Sequence, residues 1–295
     1  MLPDYIQPVF RPPSEARSLI LQVTNGCSWN QCSFCDMYTE PQKKFRPKPV
    51  AELEREIKQV AASGISFQRI FLADGDAMCL SYRRLHAIMT LINRYLPDTR
   101  RVSSYCLPRN LLNKTIAQLG ELKKMGLSLM YVGCETGDDL LLEKIRKGET
   151  FASSLCALNA IKEAGMKSSV MILNGLGGTR YSEQHALNSA LLMNRAQPDY
   201  LATLVVSFYR GIDRFQQDFG GDFVALKPPQ LFAEMKCLLQ HLELDKTIFR
   251  SDHASNYLVL KGVLGRDKER LVKQVQDAIH SQSSANLREE WQRGL

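Results

Sequence analysis

Short apolar runs bounded by turn residues alternate along this chain with longer stretches whose apolar residues recur at helical spacing. Residues 19–23, Leu-Ile-Leu-Gln-Val, read as a first strand. Residues 50–62 carry Leu53, Ile57 and Val60 among polar neighbours and are stopped by Gly64, which marks a helix. Further strands are expected at 67–73, 102–105, 127–133, 167–173 and 200–206. Helices are expected at 82–95 (ended by Pro97), 114–125, 139–146, 151–164 and 182–195. An irregular stretch then precedes a last helix at 229–242. Strands and helices alternating at this spacing imply parallel βα units. Six such units predict an α/β fold, a partial (βα)6 TIM-like barrel short of the closed eight-stranded form. The expected organisation is an N-terminal extension (1–17), one barrel domain (18–262) and a C-terminal helical tail (263–295).

In parallel α/β barrels the functional groups gather at the C-terminal ends of the strands. Just beyond the first strand lies Asn25-Gly26-Cys27-Ser28-Trp29-Asn30-Gln31-Cys32-Ser33-Phe34-Cys35-Asp36-Met37-Tyr38, with three thiols spaced Cys-x4-Cys-x2-Cys. A structural zinc site or a closed electron-transfer cluster takes four ligands. An iron–sulfur cubane held by three cysteines leaves one iron open for a substrate or cofactor. A zinc knuckle with its fourth ligand elsewhere, or three buried thiols, are the plainer readings. The second strand ends in Asp74-Gly75-Asp76, a tight turn that aims acceptors at the rim or at solvent. The third ends in Ser103-Ser104-Tyr105-Cys106-Leu107-Pro108-Arg109-Asn110, where Arg109 and Ser104 could bind a carboxylate or ribose, or simply cap a helix. At the end of the fourth, Glu135 would be costly to bury without a partner. The fifth ends in Asn174-Gly175-Leu176-Gly177-Gly178, whose glycines allow close backbone approach to a ligand. Phe249 to Tyr257 reads as a strand-and-turn segment covering the open barrel near substrate, with His253 a proton donor, a substrate contact or a structural histidine. Cys79, Cys106 and Cys134 fall near strand ends, as hydrogen-atom donors, thiol nucleophiles or small buried hydrophobes.

The cysteine loop resembles the cluster loop of the radical S-adenosylmethionine (radical SAM) superfamily, with one residue more in the first gap than the usual Cys-x3-Cys-x2-Cys. The resemblance implies that Cys27, Cys32 and Cys35 hold a [4Fe–4S] cluster whose open iron chelates the amino and carboxylate groups of SAM. It also implies that Phe34 packs against adenine. Asp74-Gly75-Asp76 stands in for the family's Gly-Gly-Glu motif, which binds the SAM ammonium group. Tyr131-Val132-Gly133-Cys134-Glu135-Thr136-Gly137, followed by Lys147-Gly148, resembles a Gly-x-Glu-Ser-Gly…Lys-Gly pattern and makes Glu135 a SAM or substrate contact. Ser104, Arg109 and Asn174 complete the implied SAM site. The catalytic residues are not implied; His253, Cys106 and Cys134 are the candidates. After the sixth strand, Ser207-Phe208-Tyr209-Arg210-Gly211 replaces the family's Pro-Gly-Thr turn, so no substrate preference carries over. The implied reaction is reductive cleavage of SAM to methionine and a 5′-deoxyadenosyl radical that abstracts hydrogen. It needs a low-potential donor of flavodoxin or ferredoxin type, on the order of −400 mV for plant-type ferredoxins.

Composition adds limits. With 44% hydrophobic and 23% charged residues the chain reads as a soluble globular protein with a sizeable core. No run approaches the roughly 20 apolar residues of a membrane helix. The first residues lack the basic start and apolar core of a signal peptide, so a cytoplasmic protein is expected. Eight cysteines without a second closely spaced set argue against a disulfide framework and against a second cysteine-ligated cluster. A net charge of +7 permits an anionic substrate, a nucleic acid or an acidic redox partner, and demands none. Lys43-Lys44-Phe45-Arg46-Pro47-Lys48 is the densest basic stretch, a solvated loop or a docking face for an acidic electron donor. Without an RNA-binding, cobalamin or auxiliary-cluster domain, a small-molecule substrate is favoured. Two other classes stay open. One is a non-catalytic iron–sulfur protein for electron transfer or redox sensing, with a fourth ligand. The other is a zinc-stabilised nucleic-acid-binding module, whose binding would weaken steeply with salt.

Overall fold

All six expected strands are present in the computed structural model, which describes residues 3–280 and 287–293. They are β1 (Leu19–Gln22), β2 (Arg69–Ala73), β3 (Arg101–Cys106), β4 (Leu127–Glu135), β5 (Lys167–Asn174) and β6 (Tyr200–Val205). Two more follow, β7 (Ile248–Ser251) and β8 (Leu260–Val263). The chain groups into two compact units: Met1–Asn30, Met37–Gly133 and Cys156–Ser168 form the first, and Gln31–Asp36, Cys134–Leu155 and the chain from Ser169 onward form the second.

In the first unit the strands hydrogen-bond in the order β1-β2-β3-β4, all parallel, with Leu19 opposite Ile70 and Ile70 opposite Val102. Leu21, Ile70, Phe71 and Leu72 are fully buried, as expected of parallel strands covered on both faces. The helices are α1 (Val50–Ala62), α2 (Tyr82–Tyr95) and α3 (Ile116–Lys124). Leu53, Ile57 and Val60 form the buried stripe of α1. The Ser81 side chain caps α2, and a Thr115–Gln118 capping box opens α3. A two-residue antiparallel pair, Thr24–Asn25 against Arg46–Pro47, brackets the segment that carries Cys27. It is too short to leave a periodic signal in sequence.

The second unit contains α4 (Asp139–Lys144), α6 (Gly178–Ala196), α7 (Asp213–Phe219), α8 (Pro228–His241) and α9 (Leu264–His280); α5 (Phe151–Glu163) begins in it and ends in the first. Strands β5, β6 and β7 run parallel, Ser169 facing Tyr200 and Tyr200 facing Ile248, while β8 returns antiparallel to β7. The segment read as strand and turn begins in β7, which joins the sheet as a seventh parallel strand, and continues as bends and turns after Ser251. Its inward residues, Phe249 and Ser251, alternate with exposed Arg250 over four positions only. Helix α7 occupies part of the stretch expected to be irregular. It is seven residues long, buries Phe215 and Phe219 one turn apart, and stops at Gly220 with φ +99°. Helix α6 begins four residues before the position its apolar stripe suggests, because the Thr179 N–H finds Val224 O at 2.9 Å. Leu141, Ile145, Leu176, Phe215, Phe219 and Phe223 make a buried core, with Phe34 packed against it.

The mostly parallel α/β class is as expected, with no closed ring of strands among the described residues. The expected helical tail is helical from 264 to 280 and again as a 3-10 turn at Glu290–Gln292. Residues 281–286 of it lie outside the described residues. No helix among the described residues is long and apolar enough to cross a membrane.

Candidate active site

In the first unit the chemistry collects around the turn after β2. Gly26 has φ +71° and Gly75 φ +42°, and a Cβ on Gly75 would run into Gly26 O and Cys27 Cα. The two glycines thus let the Cys27 backbone lie directly on the β2 turn. Asp76 ties the same contact together. The Ser28 N–H donates to its Oδ1 at 2.7 Å, the Ser28 hydroxyl to Oδ2, and Asn110 Nδ2 to Oδ2 at 3.0 Å. Burial raises the Asp76 pKa, against the opposing pull of these donors and of the Cys27 thiol.

Asp74 is placed differently. Its carboxylate is fully buried and ion-paired with Lys43, and Gln22 Nε2 donates to it at 3.1 Å. Lys43 Nζ also donates to Ile6 O at 2.7 Å. Lys48 is likewise buried, 2.6 Å from Glu56. Of the basic stretch, then, only Lys44 and Arg46 present charge to solvent. The Ser104 hydroxyl has two backbone acceptors within reach for its single proton, Tyr105 O at 2.9 Å and Leu72 O at 3.2 Å, within the sheet. The Arg109 guanidinium lies 3.9 Å from the centroid of the Trp29 ring, in the cysteine loop itself. Cys106 is buried, with its thiol 3.3 Å from Leu107 O. Burial, with Asp76 nearby, pushes the Cys79 thiol up to about 12.

In the second unit Glu135 terminates β4 with φ +66°, a left-handed backbone that is uncommon for a glutamate. Its carboxylate receives Lys147 Nζ at 2.8 Å, and both side chains are more than 90% shielded from solvent. Burial pulls the Lys147 pKa down, but Glu135 and the neighbouring thiols of Cys32 and Cys35 outweigh it and hold the ammonium charged. The same Nζ lies 5.8 Å from the Phe34 ring centroid. Ser33 N–H donates to Ile145 O at 3.0 Å, docking the loop on α4. Cys134 is buried, its thiol pushed up to about 12 by desolvation and by Glu135. Asn174 Nδ2 donates to Leu231 O at 3.2 Å. His253 Nδ1 accepts the Ser255 N–H at 3.1 Å, which leaves the proton of the neutral ring on Nε2. Burial and Arg288 lower the His253 pKa, so the ring is neutral near pH 7.

Sequence reading missed three contributors. Asn110 completes the Asp76 set, and Arg214 contacts the cysteine loop. The third is a buried relay behind β4 and β5. His185 Nδ1 meets the Thr136 hydroxyl at 2.7 Å, and its Nε2 lies 3.9 Å from Glu234 Oε1. Glu234 in turn receives the Gly175 N–H and the Ser182 hydroxyl, each at 2.6 Å. A single network therefore holds the turn after Glu135 and the turn after Asn174.

Burial raises the Glu234 pKa above its unfolded value. Between the two, the folded chain keeps a proton the unfolded chain has lost. Stability from this source is present below the unfolded pKa and falls as pH rises through the folded one. Glu234→Gln can keep both hydrogen bonds while removing the titration. The variant should lose less stability than the wild type between mildly acidic and neutral pH, measured by urea midpoints. Equal slopes would assign the titration to another group.

Among the described residues, no three His, Cys, Asp or Glu side chains converge closely enough to hold a single metal ion. Residues 21–190 match the family model described as the Radical SAM superfamily. The heme chaperone HemW of Bacillus subtilis is 28% identical over 172 residues, covering 55% of this chain and 44% of that protein. An uncharacterised protein of Methanopyrus kandleri is 30% identical over 161 residues, covering 50% of this chain and 29% of that protein. The chain thus spans less than half the length of these curated relatives. Among solved structures, coproporphyrinogen III oxidase (HemN) from Escherichia coli matches with a TM-score of 0.58 at 18% identity, over 76% of this chain and 52% of that one. This likeness speaks for the fold alone.

Proposed function

This chain belongs to the radical SAM superfamily, and we propose that within it the protein cleaves SAM reductively to abstract hydrogen from a small-molecule substrate. Enzymes of this family use a [4Fe–4S] cluster and SAM and need a reductant. We propose Cys27, Cys32 and Cys35 as the cluster ligands. The donor set fits: three thiols on one short loop, soft ligands suited to iron–sulfur chemistry, with no Cβ on Gly26 or Gly75 to displace it. When bound, the cluster and SAM together supply an electron to a carbon–sulfur bond and deliver a carbon radical to the substrate.

The observation that carries the reading is Lys147. It is buried, held charged by Glu135, and close to Cys32 and Cys35. A fixed cation there favours thiolate over thiol, which is the form that binds iron. Asp76 holds the Cys27–Ser28 backbone, and Phe34 offers an aromatic face beside the same thiols. Glu135 has a second carboxylate oxygen for an ammonium group. Arg109 is proposed for the SAM carboxylate. Cytoplasmic residence and a flavodoxin- or ferredoxin-type donor follow from the need for a low-potential reductant.

The test is anaerobic reconstitution with iron and sulfide, reduction with dithionite, and assay for 5′-deoxyadenosine from SAM. Product that requires both dithionite and the cluster is expected. A loaded, reducible cluster that gives no product, and whose electron paramagnetic resonance spectrum ignores SAM, would instead favour an electron carrier. The 28% identity to a heme chaperone supports a second reading, heme carriage. A heme titration of the reconstituted chain decides it, a shifted Soret band at stoichiometric heme supporting carriage.

A further inference from the structure

Arg214 lies in the first turn of α7, and its side chain is wrapped by the cysteine loop. Its Nε donates to Ser33 O at 3.1 Å. Its Nη2 donates to Cys35 O at 2.6 Å and Cys32 O at 3.2 Å, and lies 3.1 Å from Asp36 Oδ1. One residue type can do this, because guanidinium presents several donors in a rigid planar fork where an ammonium is a point charge. The element beneath it is fixed. Phe215 and Phe219 stack at 5.3 Å inside the aromatic core, and Lys144 Nζ donates to Phe219 O at 2.7 Å. Arg146 pairs with Asp218 at 2.7 Å. Phe34, within the loop, packs on the same core. The loop is therefore gripped at two points, by an apolar anchor and by a charged clamp on one short helix.

We infer that Arg214 is a positioning residue for the cluster. It fixes the backbone at Cys32 and Cys35, and it places a positive charge beside the sulfur ligands that raises the reduction potential. This inference rests on the reading that Cys27, Cys32 and Cys35 hold a [4Fe–4S] cluster. Reduction adds negative charge, which a neighbouring cation favours, and hydrogen bonding and net charge are established levers on such potentials. Asp36 offsets part of that charge. Losing Arg214 would remove one cation that balances the Asp36 carboxylate, so both changes push the potential down.

Two measurements on Arg214→Gln and Arg214→Lys test it. The first is amide hydrogen exchange of the cluster-free chain, read at Ser33 and Cys35, whose N–H groups are hydrogen-bonded to Ile145 O and Cys32 O. The second is the midpoint potential of the reconstituted cluster. Arg214→Gln should exchange several-fold faster at 32–36, with α9 unchanged as the mark of an intact fold, and its potential should fall. Arg214→Lys should also exchange faster, since it lacks the fork, yet keep a potential nearer the wild type. Wild-type exchange in the glutamine variant overturns the clamp. An unchanged potential overturns the electrostatic role. A wild-type chain that takes up no cluster sinks the cluster reading and the electrostatic role with it, while the exchange result still decides the clamp.

Discussion

Lys147→Met should cost about 3 kcal/mol of stability and abolish SAM cleavage. Glu135 is 9% exposed and Lys147 4%, so removing the ammonium leaves a carboxylate with little water to solvate it. Breaking a buried pair by deleting one partner is destabilising for that reason, whereas replacing both charges is often close to neutral. Combining Glu135→Gln with Lys147→Met should therefore regain most of the loss in urea denaturation of the cluster-free chain. It should not regain activity. The thiols of Cys32 and Cys35 would still lack their cation, and a neutral amide in place of the Glu135 carboxylate would offer no negative charge. A double variant that recovers both stability and 5′-deoxyadenosine production would reduce the pair to a structural staple.

Most of the parallel strands were legible because they carry short apolar runs, and burial on both faces writes that pattern directly; β3, with Ser103 and Ser104 at its centre, is the exception. The cysteine loop stood out because residue type and spacing are themselves the signal. Glu135 could be picked out because a carboxylate at the end of a core strand needs a partner, and Lys147 is that partner. The two aspartates after β2 could not be told apart. Both flank Gly75, and what separates them is Lys43, whose ammonium reaches Asp74 from 31 residues away. The same contact withdraws Lys43 from the basic stretch, which looked more exposed in sequence than it is. Arg214 left no trace at all. Its partners in the loop are mainly backbone carbonyls, which every residue has, roughly 180 positions away along the chain. Contacts made to the backbone across long separations are invisible to any reading of side-chain type.

Gly75→Ala should sharply reduce iron uptake, and the comparison with Gly64→Ala explains why. Both glycines have positive φ, +42° and +71°, so alanine at either site carries left-handed strain of about 1 kcal/mol. At Gly64 nothing lies within 4 Å of the added methyl, and that strain is the whole effect. At Gly75 the methyl meets Gly26 O and Cys27 Cα, atoms of backbone that cannot rotate away as a side-chain tip would. Overpacking of this kind typically adds about 1–3 kcal/mol, giving a total of about 2–4 kcal/mol. The easiest relief is to push the Cys27 segment off the β2 turn. That motion would break the Ser28 contacts to Asp76 and displace the first thiol of the loop. Iron and sulfide per chain after anaerobic reconstitution should then fall for Gly75→Ala and stay at the wild-type level for Gly64→Ala. Equal cluster loading in both variants would mean that the loop tolerates displacement at Cys27, and that the contact between Gly75 and the cysteine loop has no part in holding iron.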